Sequence, residues 1–268
     1  MSITLKNVSY SYQGKYQTVK AVNDVSYDFQ PATLYAIIGK SGSGKTTAMR
    51  NLDPSTTFYI DCDGKGLSWK GWRNQYNKQA GNYAKTDNKY TVLQLLAIIN
   101  GDDSMYAAAL KADGKTPKTI PKDTKEKATK FKTVVIDTLN GIMVADEVNR
   151  MREKGYDKWV DLAQCVWDIL NYANSMRDDV VVVILCHSQT QKEDDGYTFT
   201  RIKTSGKKLD KLVVESKLTT VLYAVARGDE FVFQTHANNS TAKTPFGAFE
   251  SDEIPNDITL VIKALEEY

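Results

Sequence analysis

The chain has 268 residues, with 35 Lys plus Arg against 33 Asp plus Glu, a net charge of +2 and 41% apolar residues. These values describe one α/β-sized domain with a core of its own, and they exclude a protein held on nucleic acid by overall charge; such binding has to come from local patches. No apolar run approaches the ~18 residues of a membrane span, and Met-Ser-Ile-Thr-Leu-Lys lacks a signal-peptide apolar region, so a cytoplasmic location is expected.

Residues 3–10 and 18–28 read as two strands joined by a turn at Gly14, a β-hairpin annex spanning residues 1–32. The apolar strand Leu34 to Ile38 opens the main domain, 33–268, and runs into Gly39-Lys40-Ser41-Gly42-Ser43-Gly44-Lys45-Thr46-Thr47, with a helix expected from Ala48. A buried strand follows at 57–61, and the spacing of Val92, Leu95, Leu96 and Ile99 predicts a helix over 91–99. Residues 111–132 hold eight lysines against three carboxylates, a net +5, with Pro117 and Pro121 breaking any long helix. Thr133-Val134-Val135-Ile136-Asp137 reads as a buried strand ending in a carboxylate. Two amphipathic helices come next, the second with Trp159, Leu162, Val166, Ile169, Leu170 and Ala173 on one face. Val180 to Leu185 is a further buried strand, ending at Cys186-His187-Ser188-Gln189. A hairpin over 197–204, a Lys-rich helix over 207–216, strands at 217–225 and 230–235, and a helix over 257–267 complete the chain. Short buried strands alternating with helices predict an α/β fold, a mostly parallel sheet flanked by helices. The odd cysteines Cys62, Cys165 and Cys186, without C-x-x-C spacing, argue against a disulfide framework or structural zinc.

Segment 39–46 is G-x-x-x-x-G-K-T between a strand and an expected helix, the setting of a P-loop. At ~7% glycine usage, a chance match is expected in only about one chain in a hundred of this length. Its chemistry is phosphate binding. Gly39, Ser41, Gly42, Ser43, Gly44, Lys45, Thr46 and Thr47 form the cradle, the amides of 41–46 turn inward, Lys45 reaches the β- and γ-phosphates, and Thr46 ligates Mg²⁺. Asp137 has the form of a Walker B carboxylate, the second Mg²⁺ holder. No N-K-x-D motif follows, so ATP is the expected nucleotide. Thr138 follows Asp137, leaving no Asp-Glu pair on that strand; the carboxylate that orients the attacking water is therefore sought in Asp61 or Asp63, and Asp63 is favoured. His187 and Gln189, at a core strand end, are candidate γ-phosphate sensors. Arg201, Lys203, Lys207, Lys208, Lys211 and Lys217, opposed by Asp210 and Glu215, make a second basic patch of net +4.

Residues 3–47 resemble the start of an ABC-transporter ATPase subunit, which implies that Tyr12 stacks on adenine. The resemblance stops there: no L-S-G-G-Q lies between the P-loop and Asp137, and a membrane permease partner is not expected. From about Ala36 to the end, the chain is similar to phage RecA-like ATP-binding proteins, on AIIGKSGSGKTTAMRNLD, TFYIDCDGKGLSWKGW, TVVIDTLNGI, VVVVILCHSQTQKEDDGY, TSGKKLDKLVVESKLTTVLYA and ESDEIPNDITLVIKALEEY. That resemblance implies a RecA-like P-loop ATPase acting on single-stranded DNA as a homo-oligomer. It puts Asp63 at the catalytic carboxylate's place, His187 and Gln189 at the γ-phosphate-sensing strand end, and Lys207 or Lys208 across a subunit interface. An ABC-type ATPase subunit, or a nucleotide-binding module with little hydrolysis, are the alternatives.

Overall fold

Runs of Val, Ile, Leu and Tyr that can be covered on both faces make the centre of the molecule. In the computed structural model, which describes residues 3–13, 18–29, 34–153, 157–192, 198–204 and 213–267, β1 (Ile3–Gln13) and β2 (Thr18–Phe29) pair antiparallel as a separate two-stranded sheet. The turn at Gly14 lies outside the described residues, and so does the Tyr12 side chain; in the ladder Tyr12 is paired with Val19.

The remaining strands are β3 (Leu34–Gly39), β4 (Thr57–Asp61), β5 (Tyr83–Lys85), β6 (Thr133–Asp137), β7 (Val181–Lys192), β8 (Thr198–Ile202), β9 (Thr220–Arg227), β10 (Glu230–Gln234) and β11 (Glu253–Pro255). They form one nine-stranded sheet in the order β11-β10-β9-β3-β7-β6-β4-β5, with β8 paired to the far part of β7. From β9 to β5 all neighbours are parallel, while β10 and β8 run antiparallel to theirs. One strand, β7, therefore separates the P-loop strand β3 from the Asp137 strand β6.

Strand alternation divides the core into two layers. Leu34, Ala36 and Ile38 of β3, Val134 and Ile136 of β6, and Val182 and Ile184 of β7 face one layer, built on α2 (Lys89–Asn100), α3 (Asp103–Ala112), α4 (Lys122–Ala128), α5 (Leu139–Asn149) and α6 (Asp157–Asn174). Here α1 is Trp72–Gln75, a single turn. Tyr35, Ile37, Val135, Val183 and Leu185 face the other layer, with Met49, Tyr76 and α7 (Ile258–Glu266). Each fully buried aliphatic side chain contributes roughly 1.5–3 kcal/mol. Among the described residues no helix is long and apolar enough to cross a membrane.

Several expectations change. The helix expected from Ala48 is one 3₁₀ turn, Thr47–Met49. Asp53 accepts from the Ser55 amide at 2.9 Å and Pro54 cannot continue a helix, so the chain folds back into β4 at once. A helix dipole therefore adds little at this loop, where the positive groups are the Lys45 ammonium and the loop amides. Strand β7 does not stop at Cys186-His187-Ser188-Gln189 but continues to Lys192, because β8 supplies partners for its polar end. Of the Lys-rich helix, residues 205–212 lie outside the described residues and Val214–Lys217 is a 3₁₀ turn. In the expected face of α6, Val166, Ile169, Leu170 and Ala173 are buried, whereas the Trp159 and Leu162 side chains lie outside the described set.

Candidate nucleotide site

The carboxyl ends of the parallel strands gather the polar residues at one edge of the sheet, where open α/β sheets bind ligands. Register sets Asp61 beside Asp137 and Gly39 beside His187. Between β3 and the 3₁₀ turn the loop takes left-handed conformations at Gly42 (φ +80°) and Gly44 (φ +87°). A side chain on Gly44 would also strike the Phe231 ring, 2.5 Å from the position of its Cβ. Among the described residues, no acceptor takes the amides of Gly42, Gly44, Lys45 and Thr46, while Ser43 N–H turns back to the Lys40 carbonyl (3.2 Å). Lys45, 6% exposed, donates to the carbonyls of Gly39 and Lys40, both at 2.8 Å. Burial lowers its pKa to about 8, partly offset by the Asp137 carboxylate. An ammonium held on carbonyls alone is under-compensated, and anionic phosphate would restore its charge balance.

Asp137 is 1% exposed. Its Oδ2 accepts from the Tyr59 hydroxyl (2.7 Å) and the Thr46 hydroxyl (2.8 Å), while Oδ1 is buried with no partner. Burial raises its pKa, and the Tyr59 hydrogen bond opposes that rise. A hydroxyl oxygen and an unsatisfied carboxylate oxygen side by side suit Mg²⁺, which takes one or two protein oxygens together with phosphates and needs no protein cage. Among the described residues no cluster of three or more His, Cys, Asp or Glu offers such a cage.

The two carboxylates after β4 have different surroundings. Asp61 is saturated: it accepts from the amides of Gly64 and Gly66, both at 2.8 Å, and from the Tyr83 hydroxyl at 2.7 Å. Asp63, 19% exposed at its side chain, accepts from the Thr138 hydroxyl (2.9 Å) and pairs with Lys65 (2.6 Å). Partial burial raises its pKa, but the hydrogen bonds from Lys65 and Thr138 outweigh burial and leave it lowered. Thr138 also caps α5, accepting from the Gly141 amide at 3.1 Å. A Cβ at Gly141 would stand 2.7 Å from Asp63 Oδ1, so only glycine lets α5 start this close.

His187 and Gln189 lie on the same side of β7 as Leu185, the layer that also holds Met49 next to the P-loop. Burial lowers the His187 pKa, with Lys45 adding to the effect. Asn140 ties this strand to its surroundings: its Oδ1 accepts from the His187 amide (2.7 Å) and its Nδ2 donates to the Lys203 carbonyl (2.8 Å). Gln189 pairs with Arg201 across the β7–β8 ladder, and its Nε2 is buried without a partner.

The chain matches the family model AAA_24, an AAA domain, over residues 32–246. It belongs to that family. This AAA domain thus has the P-loop ATPase character that its loop and Asp137 strand display. Over 54 residues it is also 43% identical to the energy-coupling factor transporter ATP-binding protein EcfA2 of Staphylococcus aureus strains USA300 and NCTC 8325 / PS 47. That likeness covers 20% of this chain and 19% of those proteins. The AAA domain therefore spans about a fifth of the length of these curated relatives.

Lys45, Thr46, Asp137, Asp63 and His187 come together in the AAA domain around the loop, with Gln189 two residues further along β7. Sequence reading missed Tyr59, Asn140 and Gly141. Tyr59 is hidden in an apolar run, where only its hydroxyl, which reaches Asp137, sets it apart. Asn140 and Gly141 follow Asp137 closely, but their contacts to Lys203 and Asp63 depend on the fold. The two Lys-rich segments differ in position. Lys132 N–H bonds the Thr56 carbonyl where β6 and β4 begin, at the edge of the sheet opposite the P-loop. Five lysines of 111–132 have carboxylate partners: Lys115 with Asp113, Lys122 with Glu126, Lys125 with Asp103, Lys127 with Asp123 and Lys132 with Asp179. Lys203, by contrast, donates its amide to the His187 carbonyl at 2.7 Å, beside the nucleotide site.

Proposed function

We propose that this AAA domain binds Mg-ATP and hydrolyses it, and that it does so as a RecA-like ATPase engaging single-stranded DNA through the basic segment 201–217. The observation that carries the nucleotide reading is the buried, unpartnered Oδ1 of Asp137 beside Thr46 and across from Lys45. Thr46 and Asp137 would hold Mg²⁺, which when bound neutralises phosphate charge. Lys45 leaves the Gly39 and Lys40 carbonyls for the β- and γ-phosphates. Asp63 orients the attacking water and accepts its proton, and Thr138 fixes the carboxylate. His187 and Gln189 take the role of γ-phosphate sensors, and β7 carries any change there into β8 through the Gln189–Arg201 pairing.

The β7–β8 ladder favours 201–217 over 111–132 as the DNA-contacting segment, since Arg201 to Lys203 at its start pair with the end of β7 that carries His187 and Gln189. Exposed Val144, Val148 and Met151 recur along one side of α5 and the turn after it, which supports self-association next to the site. A second reading has one observation in its favour. The Lys65–Asp63 ion pair weakens Asp63 as a base, which fits a module that binds ATP and hydrolyses it slowly.

The DNA reading is tested by oligo-dT binding over a salt series with and without ATP. The expected slope of log affinity against log salt is about −0.7 per phosphate contacted. Lys207→Ala with Lys208→Ala should make it shallower by roughly one contact or more while ATP binding stays intact. Absence of salt-dependent binding in either nucleotide state contradicts the DNA role and leaves the ATPase reading standing.

A further inference from the structure

Beyond Thr47 the cradle opens into a cleft of about 500 Å³ walled by Thr47 and Arg50 on one side and by Phe231, Glu253, Ile254 and Asn256 of the β10–β11 edge on the other. Strand order puts this cleft on the β9 side of β3, while Asp137 and Asp63 lie on the β7 side. A triphosphate whose γ end points at Asp137 and Asp63 would leave its remaining part on the Thr47 side. Phe231 is 36% exposed and its ring lies against Gly44, giving the loop an open aromatic face. Asn256 is 5% exposed, and its side-chain Oδ1 and Nδ2 are both buried without a partner. Its backbone carbonyl is fixed by Arg50, which donates to it at 2.8 Å and to the Thr47 carbonyl at 3.1 Å. The adjacent Asp257 accepts from Asn51 Nδ2 at 2.6 Å, so the segment is tied to the P-loop turn at two points. A carboxamide with both atoms unsatisfied is costly until a ligand pairs it. Of the carboxylates on this cleft, Glu253 is already paired with Arg227 at 2.6 Å and Glu230 is balanced by Arg50 on the opposite wall, so the cleft holds no surplus of positive charge for a further phosphate and offers Glu230 as an acceptor for a hydroxyl or amino donor.

We infer that this cleft is the base subsite, with Phe231 as the stacking face and the Asn256 carboxamide as the reader of adenine. An Asn side chain matches the adjacent donor and acceptor N6 and N7 of adenine, whereas guanine presents two acceptors, O6 and N7, on that edge. Asn256 lies beyond residues 32–246, so the family match does not cover it. The inference rests on the ATP-binding reading above and replaces Tyr12 as the adenine platform.

The test is calorimetric binding of Mg-ATP, Mg-GTP and Mg-tripolyphosphate to the full chain and to Asn256→Ala, Phe231→Ala, Phe231→Leu and Tyr12→Ala. Phe231→Leu keeps apolar volume against Gly44 and so separates stacking from packing. Both Phe231 variants are expected to lose about tenfold in ATP affinity, the scale of one aromatic stack, with tripolyphosphate unchanged. Asn256→Ala should bring an ATP preference of about tenfold close to parity with GTP. Tyr12→Ala should change nothing. Unaltered ATP affinity and selectivity in the Phe231 and Asn256 variants, or a loss confined to Tyr12→Ala, overturns the subsite while tripolyphosphate binding keeps the phosphate site. If the unmodified chain binds neither ATP nor tripolyphosphate, the parent reading fails and this inference fails with it.

Discussion

Lys45→Ala is expected to weaken Mg-ATP by more than about tenfold and to lower turnover by about 10²–10³-fold or more, the scale of losing one charge-stabilising donor. Lys45 is the buried cation that β3 and the loop deliver to the strand edge, and alanine leaves the phosphates only backbone amides. The fold should survive. The ammonium sits on two carbonyls with a pKa lowered to about 8, so its removal relieves a desolvation cost. Equilibrium titration checks the first effect and phosphate release the second, with a melting curve as the folding control. Unchanged ATP affinity in a folded variant contradicts the P-loop assignment.

Asp63→Asn should leave ATP bound while turnover falls by about 10²-fold or more, since the amide preserves shape and removes the base. Asp61→Asn is the informative companion. All of Asp61's contacts are internal, and an amide nitrogen would face the Gly64 or Gly66 amide instead of accepting from it. It should cost about 1–3 kcal/mol of stability, seen as a lower melting temperature. Single-turnover phosphate release and thermal melts distinguish the two. Loss of turnover with full stability in Asp61→Asn, and normal turnover in Asp63→Asn, would exchange their roles.

The parallel core was legible because β3, β4, β6 and the start of β7 are unbroken apolar runs, and a strand buried on both faces needs no alternation. The P-loop and Asp137 were legible because their residue types follow such runs at once. Other elements carried little signal. Helix α3, DSMYAAALKA, is alanine-rich with a weak apolar stripe, and α4 is a lysine-rich stretch of seven residues whose burial is confined to Ala128. The extension of β7 through Ser188-Gln189-Thr190-Gln191-Lys192 is polar and becomes a strand only because β8 returns beside it. After Thr47 the residues are good helix formers, but their run is cut short by Asp53-Pro54, so a single 3₁₀ turn forms. Topology, not local pattern, assembles Thr47, Phe231 and Asn256 into one cleft from three distant parts of the chain.

The most direct test of the central claim, a Mg-ATPase coupled to the β7–β8 arm, is phosphate release from ATP by the full chain with and without oligo-dT. Mg²⁺-dependent release is expected, and it should rise on addition of the single strand. No release above the Lys45→Ala background in either condition, by a chain that binds ATP, would contradict the claim.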